Sequence, residues 1–271
     1  MRLLVAVLAT LSAALTRSSQ PDAHTIIQQS VQVNSQDWQA APEYDYFVRE
    51  QEDEGTKTDQ VLMIFGSPYY RTVAVDGRPL SPEDQQKEQH KLDEAIARRR
   101  RESRRERAER IAKYQKDRKR DHLLLEQLVK AFDFKLKGEQ KVDGYDAYVL
   151  QAAPRPGYQP PNVEAQVLTG MVGKLWIEKN TFQWVKVEAT VVRPVTIEGF
   201  LARVQPGTRF ELENMPVASG TWLMKSFSMS SHSKILFLFP HRTQAEESYF
   251  GYQKVGELRH GALTLKRLQG E

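Results

Sequence analysis

Residues 173–192 read GKLWIEKNTFQWVKVEATVV, and the alternation in this stretch decides the fold class. Side chains of an extended chain point alternately to opposite faces. Val185, Val187, Ala189 and Val191 therefore share one side, and Trp184, Lys186, Glu188 and Thr190 the other. Residues 173–178 read as the partner strand and Lys179-Asn180-Thr181 as the turn, so Trp176 and Trp184 are expected opposite each other on the polar side. A ribbon of this kind has one wet face and one dry face.

Outward from it the same grammar repeats. Short β-prone runs cover 44–54, 57–65 and 69–75, and then 132–136, 144–152, 199–204, 208–213, 222–230, 234–239 and 243–252. Asp76-Gly77, Asp143-Gly144, Pro206-Gly207 and Ser219-Gly220 separate them as turns. Phe210 and Leu212 oppose Arg209, Glu211 and Glu213 in the same wet-and-dry manner. Many short strands with regular turns predict a mainly β (α+β) chain built on a curled antiparallel sheet. Its dry face needs a cover, and the helical patterns left for that task are a short one at 25–33 and the two ends of a long one.

The long one interrupts the strands. Ser81-Pro82-Glu83-Asp84 is a helix start, with an N-cap serine, proline at the first position and acids in the first turn. From there to Ala131 no further Pro or Gly occurs. Residues 81–121 hold 15 Lys/Arg against 10 Asp/Glu, so the basicity of the chain is concentrated here. No large apolar side chain lies between Ala97 and Arg110. The pattern predicts one long helical insertion over 81–131, anchored at both ends with a solvated middle, or a pair of helices. Arg98, Arg99, Arg100, Arg101, Arg104 and Arg105 are the candidates for contact with an anionic membrane surface. Aromatic residues do not interleave with them, which disfavours nucleic acid as a partner.

Arg2 followed by the apolar run 3–15 predicts a secretion signal over 1–20, too short to cross a bilayer, and a single domain over 21–271. The chain has no cysteine, hence neither disulfides nor a lipidated amino-terminal cysteine. The expectation is an exported, periplasmic monomer without a lipid anchor. The six histidines show no HExxH or HxH spacing, so neither a metal nor a cofactor is expected. Ser231-His232-Ser233-Lys234 matches a Ser-x-x-Lys pattern but falls in an expected turn and lacks a companion Lys-Thr-Gly, so an enzyme is not expected.

Gly144-Tyr145-Asp146-Ala147-Tyr148-Val149-Leu150 and the hairpin 173–182 resemble the bacterial outer-membrane lipoprotein-sorting (LolA/LolB-like) superfamily. The order of helix, three strands, helical insertion and meander resembles it too. The resemblance implies an unclosed half-barrel with covering helices and a cavity for acyl chains, hence a lipid or an acylated lipoprotein as partner. The long arginine-rich insertion departs from that pattern, and no counterpart of the family's lid arginine can be placed. On the dry face, Leu175, Ile177, Val185, Val187, Phe210 and Leu212 are the candidate ligand contacts. A scaffold with a self-filled core and the basic helix as partner surface is the alternative.

Overall fold

The computed structural model describes residues 21–52, 55–162, 164–197, 202–218, 220–231 and 244–255. The expected signal 1–20, the expected strand 234–239 and the Ser231–Lys234 motif beyond Ser231 lie outside them. Helix α1 (Ala23–Ala40) extends past the expected 25–33 and is capped by Asp22, whose carboxylate accepts from the Thr25 N–H at 2.9 Å. Strands β1 (Tyr44–Glu52), β2 (Gly55–Ile64), β3 (Ser67–Val75) and the short β4 (Arg78–Pro79) follow. Helices α2 (Pro82–Arg101) and α3 (Arg104–Ala131) then lead into β5 (Phe132–Val142), β6 (Tyr145–Pro154), a 3-10 turn Glu164–Gly170, β7 (Met171–Glu178) and β8 (Trp184–Val191). A small ribbon of β9 (Val195–Ile197) and β10 (Ala202–Val204) precedes β11 (Arg209–Ala218), β12 (Thr221–Ser230) and β13 (Gln244–Lys254).

Eleven strands form one antiparallel sheet in the order β4-β3-β2-β1-β13-β12-β11-β8-β7-β6-β5. The sheet is an unclosed half-barrel, with β4 and β5 as its two edges. That order fixes the role of the insertion. β4 and β5 follow each other in the chain yet sit at opposite edges, so the segment joining them must cross the whole sheet. Eleven strands at ~4.8 Å spacing span about 50 Å when flat, and the 28 residues of α3 reach about 42 Å. A curled sheet brings its edges within that reach, and α3 lies as a strap over the concave face.

The insertion is two helices. Glu102 is extended (φ −54°, ψ 133°), and Ser103 starts α3 with a reciprocal cap. The Glu106 N–H donates to Ser103 Oγ at 3.2 Å, and the Ser103 N–H donates to the Glu106 carboxylate at 2.8 Å. The expectation of a merely solvated middle is corrected here. Arg99 is buried and donates to the carbonyls of Ile64, Ser67 and Pro68, each at 2.9 Å. Arg110 binds Glu102 at 2.7 Å and Ser67 Oγ at 2.6 Å. Both therefore pin the α2–α3 corner to the β2–β3 turn. That turn has left-handed Phe65 and Gly66, and a Cβ at Gly66 would lie 2.9 Å from Ile111 of α3.

The main core lies beneath α1. Ile26 and Ile27 are fully buried against Leu150, Leu175, Ile177, Trp184 and Val191, together with Val167 and Leu168 of the 3-10 turn. The β7–β8 register slips between Trp176 and Ile177, pairing Trp176 with Lys186 and Ile177 with Trp184. Val185 is the extra residue of this bulge, and a bulge reverses the alternation beyond it. Trp184 thus turns to the core and its indole N–H donates to Ser30 Oγ, whereas the sequence placed it on the polar side opposite Trp176. Val185, expected on the dry face, packs on the other side with Trp176, Ala147 and Trp222.

Candidate functional site

The half of the concave face under α3 is not filled. A partly open cavity of about 730 Å³ lies between the floor strands β1, β2, β3, β12 and β13, the carboxyl-terminal part of α1, and the strap. Five of the ten tyrosines line it: Tyr46, Tyr70, Tyr114, Tyr249 and Tyr252. Met63, Trp38, Leu223 and Met224 add apolar surface, and Arg99, Arg110, Lys113 and Arg118 are the cations of its wall.

Register explains why so many tyrosines converge. Tyr46 pairs with Val61 across β1–β2, and Val61 pairs with Tyr70 across β2–β3, so these side chains share a face. On β13, a bulge opposite β1 pairs Asp45 with Gln253 but Phe47 with Phe250. The extra residue puts Tyr249 and Tyr252, three apart, on the face of Tyr46, at ring separations of 5.9 and 5.3 Å. Gly251 makes this possible. Its φ is +65°, and a Cβ there would come within 2.9 Å of the Phe47 ring.

Burial pushes the phenols of Tyr46, Tyr249 and Tyr252 far above the usual tyrosine range, so all three stay protonated. The Tyr249 hydroxyl donates a hydrogen bond to the Glu247 carboxylate, and that of Tyr252 donates to the Met224 carbonyl at 2.8 Å. Tyr70 is 54% exposed because its ring faces the open space. At the α1 end, Asp37 is buried and accepts from the Trp222 N–H at 3.1 Å. Burial pushes its carboxyl up to about 6, against the opposing pull of Trp222 and Gln183. Trp38 carries His122 stacked at 4.2 Å and the Arg118 guanidinium at 4.3 Å from its ring. Nothing in this donor set is arranged as a nucleophile with its base. Among the described residues, no group of three or more His, Asp or Glu could hold a metal ion, and no helix is long and apolar enough to cross a membrane.

None of the six expected ligand contacts lines this cavity. Leu175 and Ile177 belong to the filled core, with Val187 and Phe210 packed at its margin. Leu212 pairs with Val187 and shares that side, and Val185 faces away. Of the six arginines, Arg98, Arg100, Arg101, Arg104 and Arg105 are exposed, and Arg99 is not. The cavity residues missed from the sequence left one readable trace, the clustering of tyrosines at 44–46, 69–70 and 249–252.

No family model and no curated protein sequence matches the chain. Solved structures do. The chain is similar in outline to LolA-superfamily proteins. One, from Nitrosomonas europaea, is 10% identical with a TM-score of 0.33, over 92% of this chain and 98% of that one. A putative outer-membrane lipoprotein-sorting protein domain from Vibrio parahaemolyticus is 11% identical with a TM-score of 0.33, covering 90% and 99%. A DUF1329 family protein from Desulfovibrio piger is 12% identical with a TM-score of 0.32, covering 92% and 100%. Likenesses at this level concern the outline of the fold and do not decide what the cavity holds.

Proposed function

We propose that this chain is an exported, non-catalytic carrier or sensor, periplasmic and monomeric, that holds an acylated or lipophilic molecule beneath its helical strap. One observation carries the reading: the cavity of about 730 Å³ whose floor is aromatic and thioether and whose roof is cationic. Cavities of roughly 300–1,000 Å³, mostly apolar with a few placed polar groups, are the usual form of a small-molecule site. An acyl chain entering it gains about 0.8 kcal/mol per buried methylene. Arginine and lysine stems above the floor extend the apolar surface while their heads stay polar.

Native mass spectrometry of protein purified from cell envelopes without delipidation tests the reading. A co-purifying acylated species that disappears in a cavity-filling Met63→Trp variant supports it. A clean apo mass, together with no uptake of a fluorescent fatty acid, refutes it. The reading as a scaffold, with the basic helix as partner surface, is favoured by a different observation. Arg98, Arg100, Arg101, Arg104 and Arg105 are all exposed around the α2–α3 corner, as an acidic partner or an anionic membrane would require.

A further inference from the structure

Arg118 reaches the cavity from α3, and its surroundings are unusual for a half-buried cation. Its guanidinium donates to the Trp38 carbonyl and to Gln115 Oε1 at 3.2 Å, and lies 4.3 Å from the Trp38 ring and 5.6 Å from that of Tyr114. Those contacts hold its plane in place but leave part of its fork of five N–H donors unused. No carboxylate among the described residues forms an ion pair with it. The phenols of Tyr114 and Tyr46 and the imidazole of His122 feel its charge, and burial acts against its protonated form.

The other arginines of the wall differ. Arg99 is spent on three carbonyls, and Arg110 on Glu102 and Ser67. Two carboxyls share the lining without meeting Arg118. Asp37 is held by the Trp222 N–H, and Asp117 is exposed at the rim. A cation removed from water without a counter-ion is costly. An anion brought in from outside offsets that cost through short, charge-assisted bonds, and a planar guanidinium suits carboxylate and phosphate alike.

We infer that the cavity selects amphiphiles bearing an anionic head, carboxylate or phosphate, and that Arg118 receives the head while the chain lies over Met63, Leu223 and Met224. The inference rests on the proposal that the cavity holds a lipophile, and it adds the charge of the ligand. Tyr46, Tyr70 and Tyr114 supply further phenolic donors in the same cavity.

The experiment is displacement of the neutral dye N-phenylnaphthylamine from the full chain by three ligands of equal chain length: palmitate, hexadecyl phosphate and hexadecanol. Wild type should bind the two anions about tenfold or more tighter than the alcohol, the scale of a charge-assisted hydrogen bond. The tighter anion identifies the head. Arg118→Gln should reduce both anions to the level of the alcohol and leave the alcohol unchanged, and Arg118→Lys should fall between. Equal binding of all three ligands by wild type overturns the inference while the lipophile reading stands. Failure of every ligand and of the dye overturns both. An anion preference that survives in a folded Arg118→Gln protein overturns the role of Arg118. The wild-type comparison decides the charge question even where the variants fail to fold.

Discussion

The two halves of the concave face solve the same problem differently. Between β5 and β12 the sheet meets α1, whose Ile26 and Ile27 descend into an apolar floor and leave no exposed surface. Between β3 and β13 it meets α3, which presents Arg110, Lys113, Tyr114 and Arg118 to a floor of tyrosines and methionines. Aliphatic side chains can interdigitate to native density. Guanidinium and ammonium heads carry hydrogen-bond and charge demands that close apolar packing would leave unmet, so the second cover stands off and a cavity remains. One sheet thus carries a filled half and an open half, and the composition of the covering helix separates them.

The sharpest way to break this comparison is a matched pair of truncations. Ile177→Ala, in the filled half, should destabilise by about 2–5 kcal/mol in urea unfolding, as buried isoleucines do. Met63→Ala, on the cavity wall, should change stability by less than about 1 kcal/mol, because it enlarges an existing space, and should weaken lipophile uptake instead. Similar losses in the two variants would mean that the halves are not energetically distinct.

A second pair separates arginines within the insertion. Arg99→Met strands three carbonyls and removes a buried charge-assisted network, for an expected loss of about 2–4 kcal/mol. Arg100→Met, fully outside, should stay within about 0.5 kcal/mol. Equal denaturation midpoints would show that Arg99 does not pin the corner.

Much of this was legible in the sequence, and the failures have physical causes. Alternation located the strands, and the helix start at Ser81 was correct to the residue, with Ser81 accepting from the Asp84 N–H at 3.1 Å. The side-chain period of two also gave sidedness, but a single extra residue inverts it. Nothing in Phe182-Gln183-Trp184-Val185 announces the bulge that turns Trp184 inward. Gly251 within a strand was such an announcement, since glycine inside a strand often marks a bulge. Arg99 was readable too. Leu92, Ala95 and Arg99 are the buried residues of α2, and they continue one stripe at helical spacing. Chemical type hid what periodicity showed. The position of the cavity was not readable, because it depends on the strand order that sends the insertion across the sheet.

Asp37, at the boundary of the two halves, sharpens the comparison through pH. Its folded value of about 6 lies above the ordinary 3.8. Between those values the folded chain keeps a proton that the unfolded chain has released, so stability falls as pH rises through the window and is level above it. Asp37→Asn should flatten the part of that slope due to Asp37, measured by melting temperature from pH 4 to 7. An unchanged slope would place the titration elsewhere.

The smallest expected effect per substituted residue concerns the corner. Replacing Arg98, Arg100, Arg101, Arg104 and Arg105 by Gln, with Arg99 kept, should leave unfolding within about 1 kcal/mol, since exposed charges contribute little. The same variant should lose co-sedimentation with anionic vesicles, an interaction that salt screens over about 8 Å at physiological ionic strength. Equal sedimentation at low salt would leave these arginines as a solvated face.

The strap has one mechanical consequence. Arg110 and Ile111 fasten α3 to the β2–β3 turn, and at Ala131 the helix passes without a loop into Phe132, the first residue of the far edge strand. From Arg110 to Ala131 it is a rod of about 30 Å by helical rise, and a rod resists shortening as well as stretching. α3 is therefore a spreader bar: its length holds the two edges apart, keeps the half-barrel from rolling shut, and sets the headroom above the tyrosines.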